Sequence, residues 1–306
     1  MYVNGSWLRR YLLVAGLLAV ACAHAATAPA GESDPPALPL SDAGFSLRLP
    51  EAEKVAFRGV VNLDTAGGPG AQMLYPGVAG VPGLLIGIFI HGALVEAGKQ
   101  GEKTKLQQAA DQVLEPYSAV IESFTNKELM QSGLSGLRGA GANQLIGPAE
   151  AGTGWVVESL PILSMTQDRS ALVLENAIAI YAADDPKTVR YRNVVKVVSN
   201  ARDDPDLLAL WSADEGKQLK AVSAELYSHS LALVLQAVAN AHGEASVQRT
   251  FRYFEGKEPK VERAQLVHEA CGRAVVKTLR GWLMSIPMRP AAETSNLREC
   301  GDAGNQ

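Results

Sequence analysis

Cysteine is scarce in this chain: three in 306 residues, at Cys22, Cys271 and Cys300, with no CxxC among them. Thiol exchange and a zinc ribbon both need cysteines paired closely in sequence, so neither has support. The five histidines, His24, His91, His229, His242 and His268, form neither HExxH nor any i, i+4 pair. The helical zinc-hydrolase pattern is therefore absent. No GxSxG or Walker motif occurs, and Gly133-Leu134-Ser135-Gly136 falls one residue short of a nucleophile elbow. Positive charge is thin as well. Lys and Arg number 28 against 32 Asp and Glu, a formal charge of −4, and no basic stripe is available to neutralise phosphates, which argues against nucleic acid as a partner. Asp184-Asp185 and Asp203-Asp204 read as turn and cap residues beside Pro186 and Pro205. Neither a metal nor a cofactor is expected, and no residue is assigned a catalytic role.

What is present starts at the N-terminus. Arg9-Arg10 precedes an unbroken apolar run, Tyr11 to Ala21, and small residues follow through Ala25. A basic start, a short apolar run and a small-residue zone make a secretory signal peptide. At about 1.5 Å per residue the run spans roughly 16 Å, about half the hydrocarbon thickness, so a permanent membrane span is not expected. Ala19-Val20-Ala21-Cys22 resembles the lipobox of bacterial lipoproteins, with Ala19 standing where leucine is usual. The resemblance implies lipidation of Cys22 after removal of residues 1–21, and Ala23 after the cysteine implies sorting to the outer membrane. The competing reading is ordinary cleavage after Ala23-His24-Ala25, leaving a soluble periplasmic or secreted protein.

Residues 22–50 carry Pro29, Pro35, Pro36, Pro39 and Pro50 among Ala, Gly, Ser and Asp. That composition cannot bury a core and is expected to form an extended tether. If Cys22 carries lipid, Cys271 and Cys300 remain as an even pair in an oxidising compartment, and a disulfide between them is expected. A buried inert Cys271 with a free Cys300 is the alternative.

Val78 to Val95 (VAGVPGLLIGIFIHGALV) contains no formal charge, and His91 is its one strongly polar side chain. Pro82 belongs at a helical start, which leaves a stretch shorter than a typical span. It reads as a buried helix or, through Gly83, Leu84, Gly87, Ile88 and His91, as a surface for a partner or a second copy. Membrane insertion through residues 81–95 is a further possibility, since Gly83 and Gly87 have small-xxx-small spacing.

Further along, Val55 to Leu63 reads as a strand, and Leu106 to Phe124 as a helical stripe interrupted at Pro116. Ser132 to Gly154, with seven glycines, reads as a loop. Residues 156–164, 171–181 and 188–199 are three strands in an antiparallel meander with one wet face. Asp203 to Asp206 starts a long helix that runs to about Ala241. Ser246 to Phe254 is a strand. Leu266, Ala270, Ala274, Thr278, Trp282 and Ile286 fit a last helix over 263–286, although Lys260 to His268 could instead pair with the preceding strand.

The expected fold is α+β: an antiparallel sheet built on the three-strand meander, with long helices packed on it, as a single domain over 51–290 followed by a tail over 291–306. This order loosely resembles envelope lipoproteins with a TolB-N-terminal-like domain, including the curli secretion lipoprotein and activators of cell-wall synthases. The resemblance implies a non-catalytic interaction or assembly role, with the outer membrane and another envelope protein, or a second copy, as partners. A periplasmic hydrolase acting on envelope material is the competing class.

Overall fold

Trp155 to Val198 alternates β-rich runs with tight turns, and these runs become the centre of the sheet. The computed structural model describes residues 38, 40, 44–61, 100–137, 143–240, 247–270 and 272–288. Within them β4 (Trp155–Met165), β5 (Leu172–Ala182) and β6 (Asp185–Val198) are successive antiparallel neighbours. β1 (Phe45–Arg48) and β2 (Ala56–Gly59) lie end to end along the other side of β4, both parallel to it. β3 (Gln144–Ile146) pairs parallel with β1. Beyond β6, β7 (Gln248–Glu255), β8 (Glu258–Ala270), β9 (Arg273–Thr278) and β10 (Leu283–Pro287) pair antiparallel in turn, and β10 returns parallel to β6. The order is β3-β1-β4-β5-β6-β10-β9-β8-β7, with β2 beside β4.

The helices lie mainly on one face. α1 (Gln100–Asp111) tightens into a 3₁₀ turn (Gln112–Tyr117) that holds Pro116, and α2 (Ser118–Ser123) and α3 (Asn126–Gly136) follow. Thr125 Oγ1 caps α3 by accepting from Glu128 N at 3.1 Å. Asp206 caps α4 (Leu207–Ala239), its carboxylate accepting from Ala209 N at 2.9 Å. α4 is interrupted at Ala213–Gly216, where Asp214, Glu215 and Gly216 take φ of 50°, 57° and 75°. Gly216 is needed there, because a Cβ would collide with Val120 Cγ1. Leu172, Leu174, Ile178 and Ile180 of β5 meet Leu219, Leu226 and Leu231 of α4 in the main core.

The opposite face of the sheet is covered by the sheet itself. Val173 and Val198 pack with Phe251, Tyr253, Ala274, Val276, Met284 and Ile286. β6 and β7 are four strand spacings apart in the order, which would be about 19 Å in a flat sheet. Yet Lys196 on β6 reaches Glu255 on β7 with its Nζ at 2.7 Å from Oε2. No lysine side chain spans a flat sheet of that width, so the C-terminal strands curl back over β5 and β6.

Several expectations are overturned here. The fold is one large mixed sheet, with ten strands among the described residues, and not long helices on a three-strand antiparallel sheet. The meander has no wet face at its centre, since Leu172 to Tyr181 is buried at every position. Residues 263–286 hold β8, β9 and β10 in place of a helix. A four-residue stride is close to the helical period, but it is also twice the strand period, so both geometries place those positions on one face. Two glycines with positive φ, Gly272 at 71° and Gly281 at 79°, lie between these strands and turn the chain. The glycine-rich 132–154 segment is not all loop, since it contributes the end of α3 and all of β3. Residues given to the tether include β1, and Leu38 and Leu40 are buried.

Candidate functional site

Glu175-Asn176 is a polar pair inside an otherwise apolar strand, LVLENAIAIYA. Because neighbouring residues point to opposite faces, the pair places one polar group on each side of β5. On the helix side Asn176 accepts from Ser159 Oγ at 2.7 Å and donates to Ser230 Oγ at 3.0 Å. Tyr227 OH donates to Ser159 Oγ at 2.9 Å. This buried hydroxyl chain is satisfied within itself, and burial raises the Tyr227 phenol well above its ordinary value.

On the curled side Glu175 stands directly opposite Lys196 in the β5–β6 register. Glu175 is 3% exposed, and its Oε2 meets no hydrogen-bond donor among the described residues. Burial works against the Lys196 ammonium, but Glu255, Tyr253 and Glu175 outweigh it and hold its pKa above the usual lysine value. Burial is also the largest cause pushing the Tyr253 phenol up to about 12, with the carboxylates of Glu255 and Glu262 adding to it. This cluster has the ingredients of an acid–base site, but Lys196 and Glu255 are committed to each other across the inner face of the curl.

A second constellation joins α4 to β9 and β10. His229 Nε2 lies 3.0 Å from Ser285 Oγ, and Arg273 Nη2 donates to the same hydroxyl at 3.2 Å. Arg273 also donates to Val198 O at 2.6 Å and to Asn200 Oδ1 at 2.7 Å. The serine–histidine distance suits a nucleophile and its base. The electrostatics do not. Burial and the Arg273 guanidinium push the His229 pKa down to about 4, so the imidazolium that a base must become is disfavoured. Ser285 is 1% exposed, out of reach of a substrate.

A third cluster fixes the far end of the curl. Asp168, in the β4–β5 turn, accepts from Thr166 Oγ1 at 2.6 Å, Ser170 Oγ at 2.8 Å and, across the fold, Lys257 N at 2.9 Å. Burial alone would raise the Asp168 pKa, but these donors hold it below its ordinary value. Gly256, at φ 67°, brings the β7–β8 turn into this contact, where a Cβ would meet Asp168 Oδ1 at 2.8 Å.

Among the described residues the strand order ends in the three-residue β3 on one side and the eight-residue β7 on the other. β7 runs in unbroken register with β8 and contains no proline. Val247, just before β7, is 87% exposed, and Val261, opposite Arg252 on β8, is 66% exposed.

The residues singled out from sequence lie elsewhere. Cys22, Cys271, Cys300, Gly83, Leu84, Gly87, Ile88 and His91 all fall outside the described residues. Asp185 pairs with Arg190 at 3.4 Å, and Asp203 with Lys257 at 3.4 Å. His268 lies exposed on β8. Among the described residues no helix is long and apolar enough to cross a membrane. Lys196 and Glu255 escaped sequence reading because an alternating strand with lysine reads as half-solvated; the legible signal was Glu175-Asn176 inside an apolar run. Comparison with known protein families, curated proteins and solved structures finds no match to this chain.

Proposed function

We propose that this chain is a lipid-anchored protein of the bacterial envelope with a non-catalytic interaction or assembly role. The location rests on the lipobox-like Ala19-Val20-Ala21-Cys22 after an apolar run, with a proline-rich stretch behind it. The role rests on how the structure uses its reactive side chains. Lys196, Glu255, His229, Ser285, Arg273 and Asp168 hold the curled sheet to itself and to α4. The observation that carries the reading is that these titratable and nucleophilic groups are buried and committed to one another, Lys196 to Glu255 at 2.7 Å and His229 to Ser285 at 3.0 Å.

The test has two arms. The intact mass of the protein, taken from its native envelope without reductant, should carry a diacylglycerol-plus-acyl increment on Cys22 and lack two hydrogens at Cys271 and Cys300. A chain starting at Ala26 without lipid defeats the anchor. Cross-linking in intact envelopes should then join the protein to a neighbour. A chain that joins none, yet turns over envelope material when purified, defeats the interaction role.

A further inference from the structure

We propose that Lys196 and Glu255 condense to an amide, a covalent cross-link that joins β6 to β7 within one chain. It depends neither on the lipid anchor nor on a partner. In the pairs Lys220–Glu128, Lys257–Asp203 and Lys260–Glu258 the carboxylate side chain is 43%, 74% and 51% exposed, so water competes for the charges. In Lys196–Glu255 the side chains are 11% and 5% exposed, with Nζ 2.7 Å from Oε2. Both groups are held in place. Lys196 is paired on each side, to Glu175 of β5 and Met284 of β10. The turn after Glu255 is tied to Asp168 through Lys257 N. A nucleophile held this close to its target has an effective concentration of about 10⁵–10⁸ M.

Free ammonium and carboxylate do not condense in water, because hydration holds both charges and water drives the reverse hydrolysis. Burial removes both obstacles. The ion pair is the state the chain folds into, and the amide follows from it. Burial is the largest influence on Lys196 and favours its neutral amine, whereas Glu255, Tyr253 and Glu175 hold the ammonium. The step therefore starts with a proton passing from Nζ to Glu255 inside their hydrogen bond, giving an amine and a carboxylic acid with no net change of charge. The Nζ lone pair then adds to the Glu255 carboxyl carbon. Glu175 takes one proton from the nitrogen and delivers it to the Glu255 hydroxyl. The C–O bond breaks, water leaves, and the carbonyl reforms beside the new N–H; nothing is oxidised or reduced. Glu175 suits this task because it stands across the ladder from Lys196, where side chains lie about 4.5–5.5 Å apart. Its Oε2 meets no donor among the described residues.

The experiment is mass spectrometry of the full folded chain after denaturation, reduction and digestion with trypsin. The peptide Asn193–Arg202, uncut at Lys196, should be joined to Tyr253–Lys257, and the joined mass should fall short of the sum by one water. Reading the loss on this peptide keeps it separate from any change at Cys22. Lys196→Arg keeps a cation beside Glu255 and should show no link. Glu255→Gln should link with loss of ammonia in place of water, which an ion pair does not mimic. Glu175→Gln should slow linking after synthesis about a hundredfold, and Glu175→Asp should restore part of the rate. Separate Asn193–Lys196 and Tyr253–Lys257 peptides from the folded wild-type chain overturn the inference. A link that survives Lys196→Arg overturns it equally. An unchanged rate in Glu175→Gln overturns the proton transfer assigned to Glu175.

Discussion

Replacing Lys196 with methionine removes the cation that joins β6 to β7 and leaves its stem in place. In the native protein Lys196 is 9% exposed and Glu255 5%, with 2.7 Å between Nζ and Oε2. Removing one partner of such a pair strands a desolvated charge, at a cost of about 3–5 kcal/mol. Glu175 adds to the penalty, because it faces Lys196 and one of its oxygens has no donor among the described residues. At about 2–4 °C per kcal/mol for a domain of this size, the melting temperature should fall by roughly 6–20 °C. Urea and thermal unfolding, followed by the fluorescence of Trp155, Trp211 and Trp282, measure it. Lys196→Met combined with Glu255→Leu should recover at least about 1 kcal/mol relative to the single change, since no unpaired Glu255 carboxylate then remains. A loss under about 1 kcal/mol, additive with Glu255→Leu, is the behaviour of a surface ion pair. That result would mean the two side chains do not meet and the C-terminal strands do not curl back over β6.

The remaining predictions concern other joints. The His229 pKa of about 4 lies below the unfolded value of about 6.5. Its contribution to stability is therefore complete above about pH 6.5 and is lost as pH falls from there to about 4, by up to about 3 kcal/mol. His229→Gln should flatten the pH dependence of the urea midpoint in that window, and an unchanged slope would refute the assignment. Gly133→Ala should destabilise by about 1–3 kcal/mol, because its Cβ would collide with Tyr227 Cδ1. A neutral change in the urea midpoint would show that α3 and α4 do not pack as closely as described.

Local chemistry makes much of the chain legible in its sequence. Asp206 beside Pro205 and a run of helix formers start a helix wherever they stand, and α4 begins there. Short turns between three β-rich runs dictate antiparallel neighbours, as β4, β5 and β6 are. The apolar Tyr11–Ala21 run, the proline-rich stretch and the cysteine count bear on location through composition alone. These signals are local, acting over one turn or one hairpin.

What only tertiary structure decided depends on residues far apart in sequence. The stripe from Leu266 to Ile286 is compatible with helix and strand alike, and pairing with β7 and β6 settles it as strand. Glu255 and Lys196, 59 positions apart, meet because five strands curl, and no pattern around either residue announces that curl. The burial of β5 on both faces has the same origin, since one covering layer is α4 and the other is the sheet's own return. Among the described residues β7 pairs on one side, with β8, because the strand order ends there. A strand's sequence determines which faces it can bury. Its neighbours in the completed sheet determine which of those faces are covered.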